Sequence, residues 1–78
     1  MMNVVVYSTE NCPWCAKIKE FLNAKEIKFT NKDVGKNRKA AEEMIKLSGQ
    51  QGVPVTVIGK EVIVGFDEAK LKKALKVK

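Results

Sequence analysis

Two cysteines three positions apart, Cys12 and Cys15, are the residues of this chain whose types and spacing best support chemistry. Thiols at this spacing can close into a disulfide and reopen, and the attacking species in such an exchange is a thiolate. An apolar run at residues 4–7 comes before the pair, and an amphipathic pattern follows it. Cys12 is therefore expected at a helix N-terminus, where unpaired backbone N–H groups and the helix dipole stabilise an anion. This pattern predicts a small redox protein that exchanges electrons with other disulfides.

The size and composition of the chain narrow the possible function classes. Its 78 residues, 45% of them hydrophobic, suit one globular domain, which we predict to span residues 1–78. No apolar run approaches the roughly 20 residues of a membrane helix, and residues 1–3 start no signal-peptide pattern. We therefore expect a cytoplasmic monomer. A disulfide across so short a loop adds little stability, so the cysteine pair is more typical of catalysis or metal binding.

The charge of the chain is strongly positive. Fourteen lysines and one arginine, Arg38, oppose nine acidic residues, which leaves a formal charge of +6. These lysines are spread over every predicted helix without exposed aromatic residues between them, so they lack the stripe that is typical of nucleic-acid binding. We interpret them as a solvated surface, with the steering of acidic partners as the functional alternative.

Periodicity and turn residues predict the element order β-α-β-α-β-β-α. A buried strand over residues 3–8 leads to a helix that begins at Pro13, since proline is favoured at the first helical position, with Cys12 as the N-cap. This helix is predicted to end near Lys25. Its apolar stripe consists of Ile18, Phe21 and Leu22. Alternating polar and apolar residues then predict a half-buried strand over about residues 27–31.

The second half of the chain predicts a helix, a hairpin and a last helix. The middle helix stops at Gly49. Its predicted apolar side consists of Ala40, Ala41, Met44, Ile45 and Leu47. Strands at residues 55–58 and 62–64 are joined by residues 59–60, a Gly-Lys turn with the glycine-first order of type II′. Asp67 is the predicted cap of the last helix.

Three short motifs in these elements carry a resemblance to a known family. They are residues 7–15 (Tyr-Ser-Thr-Glu-Asn-Cys-Pro-Trp-Cys), residues 52–54 (Gly-Val-Pro) and residues 65–67 (Gly-Phe-Asp). With these motifs in this order, the whole chain resembles a glutaredoxin of the thioredoxin superfamily. The resemblance implies an α/β, thioredoxin-like (glutaredoxin) fold, in which a four-stranded mixed sheet is flanked by three helices.

Two positions depart from the glutaredoxin pattern. Trp14 stands where glutaredoxins usually have Tyr, and Val64-Gly65 stands where they commonly have two glycines. The Gly65-Phe66 pair is instead similar to the small redoxins that serve ribonucleotide reductase and are reduced by thioredoxin reductase. Those redoxins typically have Trp and Ser where this chain has Ile63 and Val64. The resemblance is therefore intermediate between dithiol glutaredoxins and these redoxins.

The first motif is predicted to carry the chemistry. Cys12 is the predicted nucleophile, and we expect its pKa to lie below the usual value of about 8.5 because first-turn N–H groups can donate to its sulfur. Cys15, one turn into the helix, is the predicted resolving thiol, which releases the partner and leaves an intramolecular disulfide. Pro13 fixes the helix start and removes one N–H donor. Trp14 either shields the sulfurs, walls a substrate groove, or simply packs over the end of the sheet.

The other two motifs are predicted to bind substrate. The resemblance implies a cis bond between Val53 and Pro54, which would leave the main chain of Val53 free to pair with an extended peptide or with glutathione. It also implies that the N–H groups of Phe66 and Asp67, after Gly65, hold the γ-glutamyl carboxylate of glutathione, as helix N-termini hold anions. A helix cap at Asp67 and a hydrophobic staple at Phe66 explain the same residues without a ligand.

We expect neither a bound cofactor nor a metal, with glutathione as the predicted co-substrate. The predicted partners are disulfide-containing proteins and either glutathione or a thioredoxin reductase. Gln50, Gln51 and Arg38 either contact an acidic partner or the glycine carboxylate of glutathione, or are ordinary surface residues. The sequence has no histidine, and no acidic residue is expected behind Cys15, so we predict no dedicated general base.

These residues support three competing interpretations. The first is a dithiol oxidoreductase that reduces protein disulfides or glutathione-mixed disulfides, and the second is a redoxin fed by thioredoxin reductase. The third is a metal-binding module, since two thiolates suit Cu(I), or an iron–sulfur cluster bridged between subunits by Cys12 and glutathione. Against copper, small copper chaperones have the order β-α-β-β-α-β and no use for Pro13 or Pro54.

Overall fold

The computed structural model of the chain describes residues 3–75. Its elements follow the predicted order β-α-β-α-β-β-α. They are β1 (Val4–Ser8), α1 (Pro13–Ala24), β2 (Thr30–Asp33), α2 (Arg38–Ser48), β3 (Val55–Ile58), β4 (Glu61–Val64) and α3 (Glu68–Leu75). Within this part of the chain, none of the helices has the length and apolar character needed to cross a membrane.

The four strands form one mixed sheet in the order β2-β1-β3-β4. β1 and β2 are parallel, whereas β1 with β3 and β3 with β4 are antiparallel. Tyr7 pairs with Val55, and Val55 pairs with Val64. The end of β1, the start of β3 and the end of β4 therefore meet at one end of the sheet. This sheet with its three helices confirms the predicted thioredoxin-like fold.

The alternation of side chains along β1 divides the core between the two faces of the sheet. One face packs under α1 and α3. Its buried cluster consists of Val4, Val6, Ile18, Leu22, Ile58, Ile63, Leu71 and Leu75. The other face packs under α2. Its buried cluster consists of Tyr7, Ala40, Met44 and Val55.

The predicted helix and turn signals lie where the chain changes direction. Cys12 is the N-cap of α1, with Pro13 at the first helical position. Gly49 ends α2 in the left-handed conformation, with φ 74°. Gly59 has φ 60° whereas Lys60 has no positive φ, as a glycine-first type II′ turn requires. The local signals for these ends are therefore confirmed.

The predicted bounds of the second strand are wrong. The alternation predicts a strand over about residues 27–31, but β2 begins at Thr30, which pairs with Val5 of β1. Ile27 and Phe29 are half-buried and pack against the cluster under α1 and α3 before the strand begins. Their alternation reflects this packing, whereas the edge strand itself is made of polar residues and leaves no apolar pattern.

The predicted apolar side of α2 is only partly buried. Ala40 and Met44 are buried and Ala41 is half-buried. Ile45 is 38% exposed, because it lies about 100° around the helix from Met44. Leu47 is 49% exposed, since it lies in the last turn, just before the exposed residues 49–52. The predicted apolar side of α2 therefore extends beyond its buried side, since Ile45 and Leu47 are exposed.

Candidate active site

The three sequence motifs meet at one end of the sheet. The loop that carries Cys12 follows β1, and Pro54 precedes β3 beside it, because Tyr7 and Val55 are paired. The N–H of Gly65 donates to the C=O of Pro54 at 2.8 Å. This bond joins the second motif directly to the third, so residues from Cys12 to Gly65, 53 positions apart in the sequence, frame one site.

The cysteine pair lies at the start of α1. Cys12 has an extended backbone, with φ −133° and ψ 101°, and its Sγ accepts a hydrogen bond from the N–H of Cys15 at 3.1 Å. Cys12 is half-buried, whereas Cys15 is 1% exposed. The two residues are joined by a disulfide, with their Cα atoms 5.2 Å apart. Cys12 is thus the more accessible residue of the pair, and its sulfur lies against the N–H of Cys15.

Trp14 projects from the first turn of α1 and is 55% exposed. Its ring stacks on the ring of Phe66, with centroids 6.2 Å apart and an interplanar angle of 27°. Lys17 Nζ lies 4.8 Å from the centroid of the same indole. The indole is therefore not part of the core under α1. It forms an aromatic surface with Phe66 beside the cysteines.

Val53 and Pro54 lie between α2 and β3. The bond between them is cis, and Pro54 is buried while Val53 is half-buried. Among the hydrogen bonds of residues 3–75, none uses the N–H or C=O of Val53. Within these residues the main chain of Val53 has no protein partner, as pairing with an extended ligand would require.

The start of α3 shows both its capping role and its free donors. The Asp67 carboxylate accepts the N–H of Lys70 at 3.1 Å, as a helix cap does. Phe66 packs against the cluster that contains Leu71, which is consistent with the predicted staple. The N–H of Gly65 is used by Pro54, so Gly65 has no free donor for a carboxylate. The candidate donors at this position are those of Phe66 and Asp67.

The remaining predicted contacts lie on the surface. Arg38, Gln50 and Gln51 are all exposed. Gln50 is held by its backbone, because its N–H donates to the hydroxyl of Ser48 at 3.3 Å. Their side chains have no hydrogen bond or ion pair within the described part of the chain, so they remain candidates for contact with a partner.

Tyr7, the first residue of the first motif, forms a cluster with Lys32 and Glu43 that the sequence did not predict. The Tyr7 hydroxyl donates to Glu43 Oε1 at 3.2 Å, and Lys32 Nζ donates to the same oxygen at 2.8 Å. Burial raises the pKa of Tyr7, with Glu43 adding to the shift. The hydrogen bond from Lys32 lowers the pKa of Glu43, and the same bond raises the pKa of Lys32. The cluster joins β1, β2 and α2, a contact that no local pattern signals.

The loop before Cys12 is also held from β2 and the turn after it. The Ser8 hydroxyl donates to Asn31 Oδ1 at 2.6 Å, and Lys36 forms an ion pair with Glu10. Asp33 orders this turn, since its Oδ1 accepts the N–H groups of Gly35 and Lys36. These residues position the loop, and their only sequence signal is the turn-forming Asp-x-Gly.

The surroundings of Cys15 contain few polar groups. Across residues 3–75, the buried polar or charged side chains are those of Ser8 and Thr56, neither of which is a carboxylate. No three His, Cys, Asp or Glu side chains in that range lie close enough together to hold a metal ion. The chemistry that this arrangement supports is thiol–disulfide exchange between the two cysteines and an outside sulfur.

Comparisons with known proteins agree with this arrangement. The glutaredoxin family model matches residues 4–63. The chain is 46% identical over 72 residues to an uncharacterized glutaredoxin-like 8.6 kDa protein in the rubredoxin operon of Clostridium pasteurianum, which covers 92% of this chain and 96% of that protein. It is 38% identical over 68 residues to glutaredoxin 3 of Escherichia coli K12, covering 87% and 82% of the two chains.

A solved structure extends the agreement to three dimensions. The glutaredoxin of Archaeoglobus fulgidus superposes with a TM-score of 0.89 at 31% identity, covering 97% of this chain and 88% of that one. The family model spans most of the chain and includes both cysteines and the Val53-Pro54 pair. The match of sequence and fold confirms the resemblance, and the chain belongs to the glutaredoxin family.

Proposed function

We propose that the protein is a dithiol oxidoreductase that reduces protein disulfides or glutathione-mixed disulfides. The observation that carries this proposal is the unequal exposure of two bonded cysteines at a helix start. Cys12 is half-buried and its Sγ accepts the Cys15 N–H at 3.1 Å, whereas Cys15 is 1% exposed. An outside sulfur therefore meets Cys12 first, which makes Cys12 the nucleophile and Cys15 the resolving thiol.

The first step begins from the reduced protein. The Cys12 thiolate attacks one sulfur of the partner's disulfide, so that a bond from Cys12 to that sulfur forms while the partner's own S–S bond breaks. The other partner sulfur leaves as a thiolate. The N–H of Cys15 and the dipole of α1 favour the anionic form of Cys12 before this attack.

The second step resolves the mixed disulfide. The Cys15 sulfur gives up its proton to solvent or to the leaving thiolate and attacks the Cys12 sulfur. The Cys12–Cys15 bond forms as the bond to the partner breaks, and the partner leaves reduced. Two electrons have passed from this protein to the partner, and the protein is left in the disulfide form.

A donor of two electrons must then restore the thiols. In the leading interpretation, two glutathione molecules supply them and leave as glutathione disulfide. The free main chain of Val53 supports strand-like pairing with the tripeptide, and the N–H groups of Phe66 and Asp67 are suited to its γ-glutamyl carboxylate. Gly65 contributes differently, through its bond to Pro54. We also propose that the protein is a monomer, that it acts in the cytoplasm, and that it takes part in electron transfer and redox homeostasis.

The alternative electron donor is a thioredoxin reductase, with ribonucleotide reductase as the acceptor. The observation that favours it is the Gly65-Phe66 pair, whose Phe66 ring forms the surface beside the cysteines with Trp14. Such a broad aromatic surface suits contact with a protein as well as with a tripeptide.

Two NADPH-coupled assays separate these donors. We expect turnover of a glutathione-mixed disulfide with glutathione and glutathione reductase, and none with thioredoxin reductase alone. Turnover with thioredoxin reductase alone would instead support the redoxin function. Cys12→Ser should abolish exchange in either system, and Cys15→Ser should accumulate mixed disulfides, detected by mass spectrometry. A Cys12→Ser variant with wild-type rates would contradict the proposal.

Metal binding is the candidate from another class. The element order of the structure, β-α-β-α-β-β-α, differs from the order of small copper chaperones, so the fold gives no support to copper binding. An iron–sulfur cluster bridged through Cys12 and glutathione is tested by the colour and absorbance of protein purified without oxygen. Colourless protein that forms no tight one-to-one complex with Cu(I) would dispose of both metal interpretations.

A further inference from the structure

Within residues 3–75, no strand pairs with the outer edge of β4, the last strand of the sheet. Glu61 and Ile58 flank the two-residue turn and are paired, so they form the first hydrogen-bonded pair of the hairpin. Along an antiparallel pair, hydrogen-bonded and non-hydrogen-bonded residue pairs alternate. The bond from Gly65 N–H to Pro54 C=O fits this alternation at the other end of the hairpin. By the same alternation, the N–H and C=O groups of Val62 and Val64 point away from β3, toward the open side of the sheet.

A groove of about 610 Å³ lies between the β3–β4 hairpin and α3. Its floor is apolar, formed by Ile58, Ile63 and Ala74. Three exposed lysines, Lys60, Lys70 and Lys73, stand around it, and none of them takes part in an ion pair of the described residues. Glu61 also lines the groove and offsets one of the three charges.

The two sides of the strand differ in character. Ile63 faces α3 and is buried, whereas Val64 lies on the opposite side and is 46% exposed. Any strand that paired with β4 would share this alternation, because side chains directly opposite each other lie on the same face. Its residue opposite Ile63 would face Lys70 and Lys73, and its residues opposite Val62 and Val64 would lie on the apolar face.

We propose that β4 and the groove beside it dock an extended segment of a partner protein in which acidic residues alternate with apolar ones. The segment pairs antiparallel with β4, and its main chain bonds the four outward groups of Val62 and Val64. Its acidic side chain opposite Ile63 meets Lys70 and Lys73. The one opposite Glu61 relies on the neighbouring Lys60 to offset the like charge of Glu61. Charge complementarity favours this occupant over a second copy of the chain, since two copies with a formal charge of +6 each would bring like charges together.

The docked segment would lie next to the candidate site, although its binding does not depend on the state of the cysteines. β4 ends at Val64, which pairs with Val55 at the end of the sheet that carries Pro54 and the Cys12 loop. A segment on β4 therefore directs its chain toward that end. The docking rests on the edge of β4 and the lysines alone, so it is tested with the disulfide form of the protein.

The experiment uses a fluorescein-labelled synthetic peptide, Val-Glu-Val-Glu-Val-Glu, titrated with the full chain at low salt and followed by fluorescence anisotropy. We expect saturable binding, with amide NMR shifts and slowed hydrogen exchange at Val62 and Val64. A peptide N-methylated at its three valines loses the N–H groups that face β4 and should not bind. A peptide N-methylated at its three glutamates keeps them and should bind as the parent does.

Charge is tested with matched variants. The triple variant Lys60→Gln, Lys70→Gln and Lys73→Gln should weaken binding about tenfold, the sum expected for three exposed charge contacts. A control with Gln at the exposed lysines 28, 39 and 46 has the same net charge and should bind as the wild type does. Equal loss in both triple variants, equal binding of both N-methylated peptides, or dimerisation of the groove variant without loss of peptide binding would overturn the proposal. The last outcome would mean that the lysines only prevent the edge of β4 from pairing with a second copy of the chain.

Discussion

Trp14 and Phe66 hold each other beside the cysteines, with stacked rings whose centroids are 6.2 Å apart. Phe66 in turn meets the edge of Phe21 at the same centroid distance. The exposed indole of Trp14 is thus connected through Phe66 and Phe21 to the core under α1 and α3. A residue that the sequence presents as a staple of α3 also orients an aromatic surface at the candidate site.

This contact predicts the behaviour of the chain's single tryptophan. Phe66→Leu keeps an apolar side chain but removes the stacking, so the indole should move more freely. We expect lower steady-state fluorescence anisotropy for Trp14 and a loss of about 1 kcal/mol in the free energy of unfolding. Phe21→Leu is the matched control, because Phe21 touches Phe66 and has no stacking contact with Trp14. Equal anisotropy in the wild type and both variants would show that the stacking does not restrain the indole.

The Lys32–Glu43 pair predicts a pH-dependent part of the stability. The pKa of Glu43 is lowered in the folded protein, mainly by the hydrogen bond from Lys32. Its contribution is therefore present above the unfolded pKa of about 4.3 and is lost as the pH falls through the lower folded pKa. Glu43→Gln should lower the urea midpoint at pH 7 and leave it nearly unchanged once the pH is below the folded pKa.

Salt and a neighbouring residue give the controls for this pH effect. The difference between wild type and Glu43→Gln at pH 7 should shrink in 1 M NaCl (about a 3 Å screening length), because the pair is partly exposed. Glu42→Gln removes an exposed carboxylate of the same helix that has no ion pair within residues 3–75. It should leave the midpoint unchanged across the pH range. A pH-independent loss in Glu43→Gln would indicate packing, not charge, as the cause.

The hydroxyl of Thr56 is a buried group that lacks a partner among the described residues. Thr56 is central in β3, paired with Val6 and Ile63. Thr56→Val replaces the hydroxyl with a methyl group of similar size, so it should raise the free energy of unfolding by about 1 kcal/mol. The measurement is urea denaturation, with Thr30→Val at the exposed edge strand as the control. A loss of stability in Thr56→Val would reveal that the hydroxyl has a polar partner.

Gly49 predicts a conformational cost that has nothing to do with space. Its φ is 74°, and an added Cβ would meet nothing within 4 Å. Gly49→Ala should therefore lower the free energy of unfolding by about 1–2 kcal/mol through the left-handed backbone alone. Gly52→Ala is the matched control: its φ is outside the left-handed region, and its Cβ would meet only the flexible end of Gln50 at 3.4 Å. Thermal denaturation of both variants makes the comparison, and equal losses would refute the conformational explanation.

Local signals in the sequence determined much of this protein. Pro13 and Cys12 specify a helix start, Gly49 a helix end and Gly59 a tight turn, because each acts through the backbone within a few residues. The motif that contains both cysteines also identified the chemistry. These features need no knowledge of distant contacts, so the sequence alone could predict them.

Only the tertiary structure decided the features that depend on pairing between distant segments. The parallel register with β1 set the bounds of β2, and the end of the supporting surface left Ile45 and Leu47 exposed. Likewise, the N–H of Gly65 donates to the C=O of Pro54, 11 positions away, and is therefore not free to donate to an anion. Register and packing are properties of the assembled sheet. The hydrogen-bond partner of each backbone group lies on a strand that is distant in the sequence, so a local sequence pattern does not specify it.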